Sequence, residues 1–556
     1  MTNVNPNTQG HTDFVSRLDH VCAEYADKTA ITYMRDDGTK TLLTFGEIRE
    51  QVLKAQGVFE SIGLRKGDRA AIIAPSSPFS LIAVLSLAYG NITSVLIDSS
   101  LPTEEINRLL EFSDVRAVFA VPNIYEGLDE NLVSDIPVFD LINEGGDYIV
   151  FNNSVKEIDK SETADPHLDV IAILFSSGTT ASMKGVMVTY SSTIRTFEIN
   201  IPLLEIDSNL RYLFALPLSH IAGLISVLVA FSGSGNIGMI ENANAIKLKN
   251  ALIEYEPTTF VMVPRVYEIM EQRIKQEIKK KGVVVSGVVF SLISFCGFMR
   301  KTFGINIGKS VFKSIRNQVF GKNFRILGLG SSLCNQTTSK FFLSLGIYMW
   351  TNYYATTETN VPAVVTCRLD RFPTDNVGNV KRYEDIKLKI HNSDKNGIGE
   401  IRIKTALIMK GYFREPELTA AVFDEDGYFK TGDLGYIDKR NNLHVTGRLK
   451  EAIVLHTGKK VAPFDVETLY GKLFPEINMA CVGVSVEGSS FDEIHIFIEN
   501  VSEEKRQEIK QAIMNFSGET STIYQVARVH FIDKLPTTSV GKVKRFKLKE
   551  IAQNES

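Results

Sequence analysis

Short apolar segments alternate with helical patterns from about residue 69 to residue 353, and this alternation limits the fold more than any other feature of the sequence. Strands that alternate with helices of this length indicate parallel βαβ units, so we predict an α/β fold. The predicted strands are 29–33, 40–44, 69–74, 93–97, 117–121, 170–175, 211–216, 237–240, 259–263, 325–329 and 348–353. The predicted helices are 45–62, 78–89, 103–112, 221–231, 245–255, 264–281 and 336–345.

The pattern changes after about residue 385, where short strands are separated by Gly and Asp turns such as 394–399 and 424–427. We interpret this part as a β-rich subdomain that completes the large α/β body. From about residue 450, two helix candidates, 465–473 and 503–515, lie between predicted strands. The sequence therefore predicts an N-terminal body at 1–448 and a small α+β domain at 449–556, which is within the usual domain size.

Composition excludes several classes of protein. Hydrophobic residues make up 44% and charged residues 23% of the chain, which is typical of a folded globular protein. The net charge of -4 gives no reason to expect nucleic acid as a partner. The five cysteines form no CxxC pair, which argues against a zinc site or a disulfide framework, and the first ten residues lack the apolar core of a signal peptide. We expect a cytoplasmic protein.

The segment 282–299 carries no charged residue. Its length is at the lower edge of the ~17–25 residues that a membrane span needs. Lys279, Lys280 and Lys281 precede it and Arg300 and Lys301 follow it, an arrangement that suits a helix lying in a membrane interface. Peripheral membrane contact through 282–299 is therefore one interpretation. The other is a buried helix or hydrophobic hairpin within the α/β body, or one that lines an acyl pocket.

A stretch of small and hydroxyl residues follows the predicted strand 170–175 and ends in Lys184-Gly185. Small residues let backbone N–H groups converge on an anion, hydroxyls add donors and the ammonium adds charge, so this stretch is a candidate phosphate cradle. It is not the common P-loop, because Met183 precedes the lysine and Gly185 follows it. The alternative is a solvated Ser/Thr loop.

Five further motifs carry residue types that suit nucleotide chemistry, although each one alone is weak. A single His at a strand-to-helix junction is more often structural, and a Lys within a basic run is more often solvated. The motifs are Pro217-Leu218-Ser219-His220-Ile221-Ala222-Gly223, Asn352-Tyr353-Tyr354-Ala355-Thr356-Thr357-Glu358, Thr431-Gly432-Asp433-Leu434-Gly435, Gly447-Arg448-Leu449-Lys450-Glu451 and Leu535-Pro536-Thr537-Thr538-Ser539-Val540-Gly541-Lys542.

Together with the stretch before Lys184, and in this order, the motifs resemble those of the adenylate-forming (AMP-binding) superfamily, which includes acyl-CoA synthetases, luciferases and adenylation domains. The resemblance covers nearly the whole chain. The segments 263–268 and 458–463 resemble the long-chain fatty acyl-CoA synthetase branch. The resemblance implies a reaction in which a carboxylate attacks the α-phosphate of ATP, giving an acyl-adenylate and pyrophosphate. A thiol, usually that of coenzyme A, then displaces AMP.

The resemblance also implies a role for each matching residue. The residues implied for the β- and γ-phosphates are Ser176, Ser177, Gly178, Thr179, Thr180, Ser182 and Lys184. Those implied for the rest of the nucleotide are Gly330, Ser331, Ser332 and Tyr354 at the adenine, Ala355 beside the acyl carboxylate, Thr357 at phosphate, Glu358 as the Mg²⁺ ligand, and Asp433 and Arg448 at the ribose. Those implied for the acid, the domain rotation and the thiol are His220 in the acyl pocket, Lys542 between carboxylate and ATP, Lys450 at the hinge of a mobile C-terminal domain, and Gly458 and Lys459 at the thiol tunnel. Lys542, His220 and Thr357 are the predicted catalytic residues.

The sequence departs from the family pattern at three places. Ala181 and Met183 replace a Gly and a Pro in the phosphate loop, and Ala355 replaces a Gly. The adenine-side turn reads Gly-Ser-Ser-Leu at 330–333 instead of Gly-Gly-Ala-Pro. None of these changes removes a charged group, so we expect retained activity with altered substrate preference.

The predicted function is the ATP- and Mg²⁺-dependent joining of a fatty or other hydrophobic carboxylic acid to coenzyme A. One alternative is an acyl- or aryl-AMP ligase that loads an acyl carrier protein thiol or an amine. A second alternative is a degenerate protein that binds nucleotide without turnover.

Overall fold

The structure is a computed structural model. It describes residues 6–141, 149–150, 168–176, 183–241, 243–329, 336–350, 353–360, 364–365, 376–456, 460–474, 477–485, 491–538 and 541–555. The chain forms two compact units. The first unit comprises 1–264, 281–374 and 405–421, and the second comprises 265–280, 375–404 and 422–556. The boundary predicted at 448–449 concerns a rotation of the C-terminal domain and stays a prediction.

Two seven-stranded sheets form the framework of the first unit. Its strands are β1 (Thr29–Met34), β2 (Lys40–Thr44), β3 (Arg69–Ile73), β4 (Thr93–Leu96), β5 (Ala117–Ala120), β6 (Val138–Asp140), β7 (Ile149–Val150), β8 (Val170–Ser176), β9 (Lys184–Thr189), β10 (Arg211–Leu213), β11 (Asn236–Ile240), β12 (Thr259–Met262), β13 (Ile326–Leu329), β14 (Tyr348–Trp350), β15 (Tyr353–Tyr354) and β16 (Val364–Val365).

The helices in the same stretch of chain connect these strands. They are α1 (Pro6–Glu24), α2 (Phe45–Ser61), α3 (Pro78–Tyr89), α4 (Thr103–Ser113), α5 (Pro122–Tyr125), α6 (Glu130–Val133), α7 (Tyr190–Leu203), α8 (Ile221–Ser232), α9 (Ala245–Glu254), α10 (Pro264–Lys279), α11 (Val283–Phe303), α12 (Gly308–Val311), α13 (Lys313–Phe320) and α14 (Gln336–Ser344).

The sheet order confirms the α/β prediction. The first sheet has the order β14-β13-β12-β10-β11-β1-β2, and only its β1–β2 pair is antiparallel among the described strands. The second sheet has the order β7-β6-β5-β3-β4-β8-β9, with antiparallel pairs only at its described ends, β6–β7 and β8–β9. One apolar core contains residues of both sheets together with α1, α2, α3, α7 and α8.

Local sequence signals explain why several helices begin where they do. Thr44 and Glu47 form a capping box at α2, because each side chain accepts a hydrogen bond from the other residue's backbone N–H. Ser77 and Ser80 form the same arrangement at α3, and Pro78 occupies the first turn, where it needs no N–H partner. These side chains fix the starts of both helices at the predicted residues.

The N-terminal helix α1 was not predicted, since the predicted elements begin only at residue 29. Its buried residues Phe14, Leu18, Val21 and Cys22 recur at helical spacing and pack into the main core. The apolar residues are few, so the helix is stabilised by packing on one side rather than by its composition.

The second unit contains the β-rich region and the C-terminal residues. Its remaining elements are β17 (Gly378–Asn379), β18 (Ile386–His391), β19 (Gly399–Thr405), β20 (Phe429–Ile437), β21 (Asn442–Arg448), β22 (Ile453–Val454), β23 (Lys460–Val461), α16 (Pro463–Tyr470), β24 (Met479–Ser485), β25 (Asp492–Glu499), α17 (Glu503–Glu519), β26 (Val526–Ile532) and α18 (Arg545–Asn554), while α15 (Pro416–Ala421) belongs to the first unit. The five-stranded sheet β17-β21-β20-β19-β18 confirms that this region is rich in strands, although it belongs to the second unit and not to the large body that it was expected to complete. The strands β24-β25-β26 form a smaller sheet with α16 and α18 packed on it.

Candidate functional site

The predicted phosphate cradle connects two strands of the second sheet. β8 and β9 pair in antiparallel register, and Ser176 lies directly opposite Lys184 at the end of this hairpin that the predicted cradle connects. The side chain of Lys184 is therefore held at the start of β9, next to the end of β8. The rest of the predicted cradle (Ser177, Gly178, Thr179, Thr180, Ala181 and Ser182) lies outside the described residues.

Met183 and Gly185 show how the described end of the cradle is packed. The Met183 side chain packs against the apolar cluster on one face of the second sheet, so it fills space there as a hydrophobic residue. Gly185 is closely surrounded, since a Cβ there would lie 3.2 Å from Ile173 and 3.4 Å from both Phe175 and Phe413. The absence of a side chain at 185 lets residue 413 approach the strand.

A segment from Met409 to Phe413 lines the outer edge of β9. Backbone hydrogen bonds run from Met187 N–H to Gly411 O (3.0 Å), from Lys410 N–H to Met187 O (2.9 Å) and from Phe413 N–H to Gly185 O (2.7 Å). This pairing satisfies backbone groups of an edge strand that would otherwise be open. It also fixes Tyr412, which sits between these contacts, beside the strand that carries Lys184.

The same segment holds the turn that carries Glu358. Met409 N–H donates to Glu358 O at 2.7 Å, and the hydroxyl of Tyr412 donates to Glu358 Oε1 at 3.0 Å. Thr356 caps the 3₁₀ turn Thr357–Thr359, because its Oγ1 accepts from Thr359 N–H and its own N–H donates to Thr359 Oγ1. The Glu358 carboxylate is thus positioned by its own turn and by Tyr412.

Tyr412 brings the two predicted phosphate-side charges together. Lys184 Nζ lies 5.0 Å from the centroid of the Tyr412 ring, and the hydroxyl at the other end of that ring contacts Glu358. Burial raises the pKa of Tyr412 well above its usual value, and the nearby Glu358 carboxylate raises it further, so the phenol remains a donor. One buried side chain therefore contacts a cation and an anion at the same time.

The residues present fit a magnesium ion that is shared with nucleotide phosphates. No cluster of three or more His, Cys, Asp or Glu side chains occurs among the residues the structure describes, so the protein offers no complete metal cage there. Mg²⁺ is commonly held by one or two carboxylates plus substrate phosphates. Glu358, half-buried and already oriented by Tyr412, is a suitable single carboxylate.

Tyr354 and Ala355 directly precede the Glu358 turn. Tyr354 is 7% exposed and pairs with Val364 in the short β15–β16 ladder. Ala355 is not among the described residues with a positive φ, so its methyl group causes no backbone strain at a place where the family has Gly. The predicted adenine-side residues Gly330, Ser331 and Ser332 follow β13 and lie outside the described residues.

His220 begins α8 in the first unit. The turn before it is tight, because His220 N–H donates to Pro217 O at 3.1 Å and a Cβ at Gly223 would lie 1.9 Å from the same oxygen. Ser76 Oγ stabilises this turn through two hydrogen bonds. It accepts from Leu218 N–H at 2.9 Å and donates to Leu216 O at 3.0 Å. Gly223 and Ser76 thus fix the residue that the resemblance assigns to the acyl pocket.

Asp433 and Arg448 lie side by side in the second unit. They are directly opposite in the β20–β21 register, and Arg448 Nε lies 3.0 Å from Asp433 Oδ1. Gly432 has a φ of +69°, which places a left-handed residue in β20 immediately before the aspartate. The Asp433 side chain is 7% exposed and that of Arg448 is 45% exposed. A buried carboxylate beside an accessible guanidinium suits hydrogen bonding to hydroxyl groups.

The other predicted residues of the second unit lie in exposed turns. Lys450 follows β21 in a turn closed by Ala452 N–H donating to Arg448 O at 2.9 Å. Lys542 lies in a hairpin-like loop in which Thr538 N–H donates to Lys542 O (2.8 Å) and Lys542 N–H donates to Thr538 Oγ1 (3.1 Å). Gly541, with a φ of +75°, permits the reversal. Gly458 and Lys459 lie outside the described residues.

Tyr412 is the functional candidate that sequence reasoning missed. It is 54 residues from Glu358 and belongs to none of the six motifs. The available signal was the short Lys410-Gly411-Tyr412-Phe413 stretch, in which two aromatic residues follow a glycine.

The comparisons with known proteins cover most of the chain. The family described as "AMP-binding enzyme" matches residues 18–413. The chain is similar to the long-chain-fatty-acid–CoA ligase heimdall of Drosophila melanogaster, with 26% identity over 83% of this chain and 73% of that protein. It is also similar to a 4-coumarate–CoA ligase of Pinus taeda, with 26% identity over 94% of this chain and 92% of that protein.

A solved structure supports the fold. The o-succinylbenzoate coenzyme A synthetase of Bacillus subtilis in complex with ATP and magnesium ion superposes with a TM-score of 0.71. The superposition covers 96% of this chain and 99% of that protein at 20% identity. At this identity the likeness shows a common fold of a large N-terminal region and a small C-terminal α+β region.

Proposed function

This chain belongs to the AMP-binding enzyme family, and we propose that it is an AMP-forming acid–thiol ligase that activates a fatty or other hydrophobic carboxylic acid with ATP and transfers it to coenzyme A. The observation that carries the proposal is the contact of Tyr412 with both Lys184 and Glu358. This arrangement places a cation over the face of one aromatic ring and a carboxylate at the hydroxyl of that ring, beside the end of the β8–β9 hairpin that carries Lys184.

The arrangement suits the binding of a polyphosphate with its counter-ion. In the proposed complex, Lys184 would neutralise phosphate oxygens and Glu358 would hold the Mg²⁺, which would supply further charge neutralisation. Phosphoryl-type chemistry depends on positioning and charge more than on covalent help from the protein. Tyr412 contributes by keeping the carboxylate in one orientation through its hydrogen bond to Glu358 Oε1.

The residues of the second unit supply two further parts of the proposed reaction. Asp433 and Arg448 form an adjacent acceptor and donor pair, which suits a vicinal diol such as the ribose. Lys542 lies on an exposed loop with a defined backbone, and we assign it to the charge that develops when the acid attacks ATP. Lys450, in the turn after β21, is the proposed hinge about which 449–556 rotates between the two half-reactions.

The relatives of this chain are named for two kinds of acid. The similarity to a long-chain-fatty-acid–CoA ligase favours an aliphatic chain, whereas the similarity to a 4-coumarate–CoA ligase favours an aromatic acid at the same identity. Ala355 adds a methyl group where the family has Gly beside the carboxylate. Since one methylene in a pocket discriminates by roughly 1–3 kcal/mol, acids branched near the carboxylate are expected to be poor substrates.

ATP–pyrophosphate exchange over fatty, aromatic and small acids tests the proposal. We expect exchange above background with at least one hydrophobic acid, and the corresponding coenzyme A thioester when the thiol is added. Lys184→Ala should reduce exchange, while Tyr212→Phe, which changes a buried tyrosine elsewhere in the first unit, should not. Exchange at background with every acid would instead favour a nucleotide-binding protein without turnover. Exchange without a coenzyme A product, but with loading of a carrier protein, would favour the other acceptor.

A further inference from the structure

The apolar segment 282–299 forms the helix α11, which runs from Val283 to Phe303, and not a hairpin. Its buried residues are Ile293, Cys296, Gly297 and Arg300. At 100° per residue these four lie on one side of the helix, in its C-terminal half. The interpretation of this segment as a buried helix therefore holds only for one side of the C-terminal half of α11. None of the residues from 283 to 292 is buried.

The opposite side of α11 is apolar and exposed. Val288 is 56%, Leu292 40%, Phe295 51% and Phe298 56% exposed, and helical spacing places them together, away from the buried side. Large apolar side chains are usually exposed singly on a soluble surface, so a contiguous stripe marks an interaction site.

The C-terminal end of α11 is anchored within the first unit. Arg300 is 1% exposed, and its Nη1 donates to Leu343 O at 2.6 Å and to Ile347 O at 2.9 Å, at the end of α14. Asn306, just after the helix, donates through Nδ2 to Gly346 O at 3.2 Å. These bonds fix the rotation of the helix about its axis, and with it the direction of the exposed stripe.

The anchoring also argues against a membrane span. Among the described residues, α11 is the one helix long and apolar enough to cross a bilayer. A crossing helix would expose every side to lipid, whereas Ile293, Cys296 and Arg300 pack against the protein. A helix with one buried side and one apolar exposed side instead suits a position parallel to a surface.

The charge around α11 identifies the kind of surface. No Asp or Glu occurs between Glu277 and Glu358, whereas lysine and arginine recur through this stretch. The exposed lysines next to the helix in sequence are Lys279, Lys280, Lys281, Lys301, Lys309 and Lys313, of which Lys280 is ion-paired with Glu277. An apolar face with lysines on both flanks is complementary to anionic phospholipid headgroups above an acyl layer.

We propose that α11 is a membrane-docking helix, which lies in the interface of a bilayer containing anionic phospholipids. Val288, Leu292, Phe295 and Phe298 enter the acyl region, and the flanking lysines contact the headgroups. The helix remains attached to the protein through Arg300. This binding does not depend on the proposed reaction, so it can be measured without turnover.

Vesicle flotation of the full chain tests the proposal. We expect weak association with phosphatidylcholine vesicles and at least about tenfold stronger association when phosphatidylserine is added, because each lysine near such a surface contributes favourably. The double variant Leu292→Asp/Phe295→Asp should lose about tenfold or more of the binding, since it places charge in the acyl region. The matched control is Ile246→Asp, which changes a residue that is 73% exposed on α9 of the same unit and should bind like the wild type.

A second set of variants separates charge from apolar contact. Lys301→Ser/Lys309→Ser should weaken binding to phosphatidylserine vesicles and leave the weak binding to phosphatidylcholine unchanged. These exposed residues can be replaced without disturbing the fold, so they test the proposal even if the double Asp variant fails to fold.

Four results would overturn the proposal. The first is no flotation of the wild type with either vesicle, and the second is equal flotation of wild type and double variant. The third is resistance of bound protein to alkaline extraction, which would indicate a span. The fourth is a wild-type dimer in light scattering that becomes monomeric in the double variant without lipid, because a second copy would then cover the stripe.

Discussion

Replacement of Tyr412 by Phe tests the central contact of the candidate site. The substitution keeps the ring beneath Lys184 and removes only the hydroxyl that donates to Glu358 Oε1 at 3.0 Å. Tyr412 is 4% exposed, so the fold retains nearly all of the buried apolar area of this side chain. The expected consequence is a mobile Glu358 carboxylate, since its hydrogen bond from Tyr412 is lost while the bond from Met409 N–H still holds only the backbone carbonyl of Glu358.

The magnitude follows from the kind of hydrogen bond. A hydrogen bond to a charged acceptor contributes roughly 1.5–3 kcal/mol. Glu358 is only half-buried, so water replaces part of that contact and the expected loss is about 1–2 kcal/mol. Because about 1.4 kcal/mol corresponds to tenfold, the Mg²⁺ concentration needed for half-maximal ATP–pyrophosphate exchange should rise roughly 5- to 30-fold.

The assay is exchange at fixed acid and ATP with Mg²⁺ varied. Tyr212→Phe is the matched control, because its buried hydroxyl donates to Ser226 Oγ at 3.0 Å in the same unit without contacting Glu358. This control should lose about 1 kcal/mol of stability and keep the wild-type Mg²⁺ dependence. If Tyr412→Phe shows the wild-type Mg²⁺ dependence, or if the control shifts it equally, Tyr412 does not position the metal ligand.

Three further predictions concern other parts of the molecule. Lys542→Ala should abolish adenylation in the exchange assay and spare thioester formation from supplied acyl-adenylate; equal loss of both would contradict the proposed rotation. Arg300→Leu leaves two buried carbonyl groups without their donor and should lower the free energy of unfolding by roughly 2–3 kcal/mol, measured by urea denaturation, whereas an unchanged midpoint would mean that water replaces the guanidinium. Burial, and to a smaller extent the nearby His530 and Arg528, together lower the pKa of His495 from 6.5 to about 4. The folded state therefore binds fewer protons than the unfolded state below pH ~6.5, so stability should fall by up to about 3 kcal/mol as the pH drops from ~6.5 to ~4, and His495→Gln should flatten this slope in thermal unfolding.

The strand and helix pattern was predictable because it depends on short-range signals. β8 is a run of apolar residues that lies between Asp169 and a stretch of hydroxyl residues, and α3 begins at a Ser-Pro cap, so both were identified from sequence. The helix α1 was not identified, because it has too few apolar residues to stand out from a polar segment. Its burial depends on α2 and α7, which follow it in the chain. Local pattern therefore predicts the elements in which apolar residues recur clearly, such as α4, and misses α1, in which they are sparse.

The candidate site was predictable only where a residue type is required by chemistry. Lys184 and Glu358 have the charges that phosphate and Mg²⁺ need, and each lies at the end of a strand or in a turn after one. Tyr412 performs no chemistry on the substrate, and its partners are set by the pairing of residues 409–413 with β9. Such long-range backbone pairing leaves no signal in the neighbouring sequence.

The two interpretations of the segment 282–299 differed in whether its side chains are buried in the protein. Composition alone does not determine this. An apolar helix has the same sequence whether it is surrounded by protein or lies at a surface. The structure separates the alternatives through Arg300, a charged residue that is buried because backbone carbonyl groups surround its guanidinium. This anchor determines which side of α11 faces the protein, and the remaining valine, leucine and phenylalanine side chains are then exposed. The exposed stripe is thus a consequence of where the Arg300 guanidinium is bound. For this reason we expect membrane binding to depend on the side chains of Leu292 and Phe295 and not on the overall hydrophobicity of the segment.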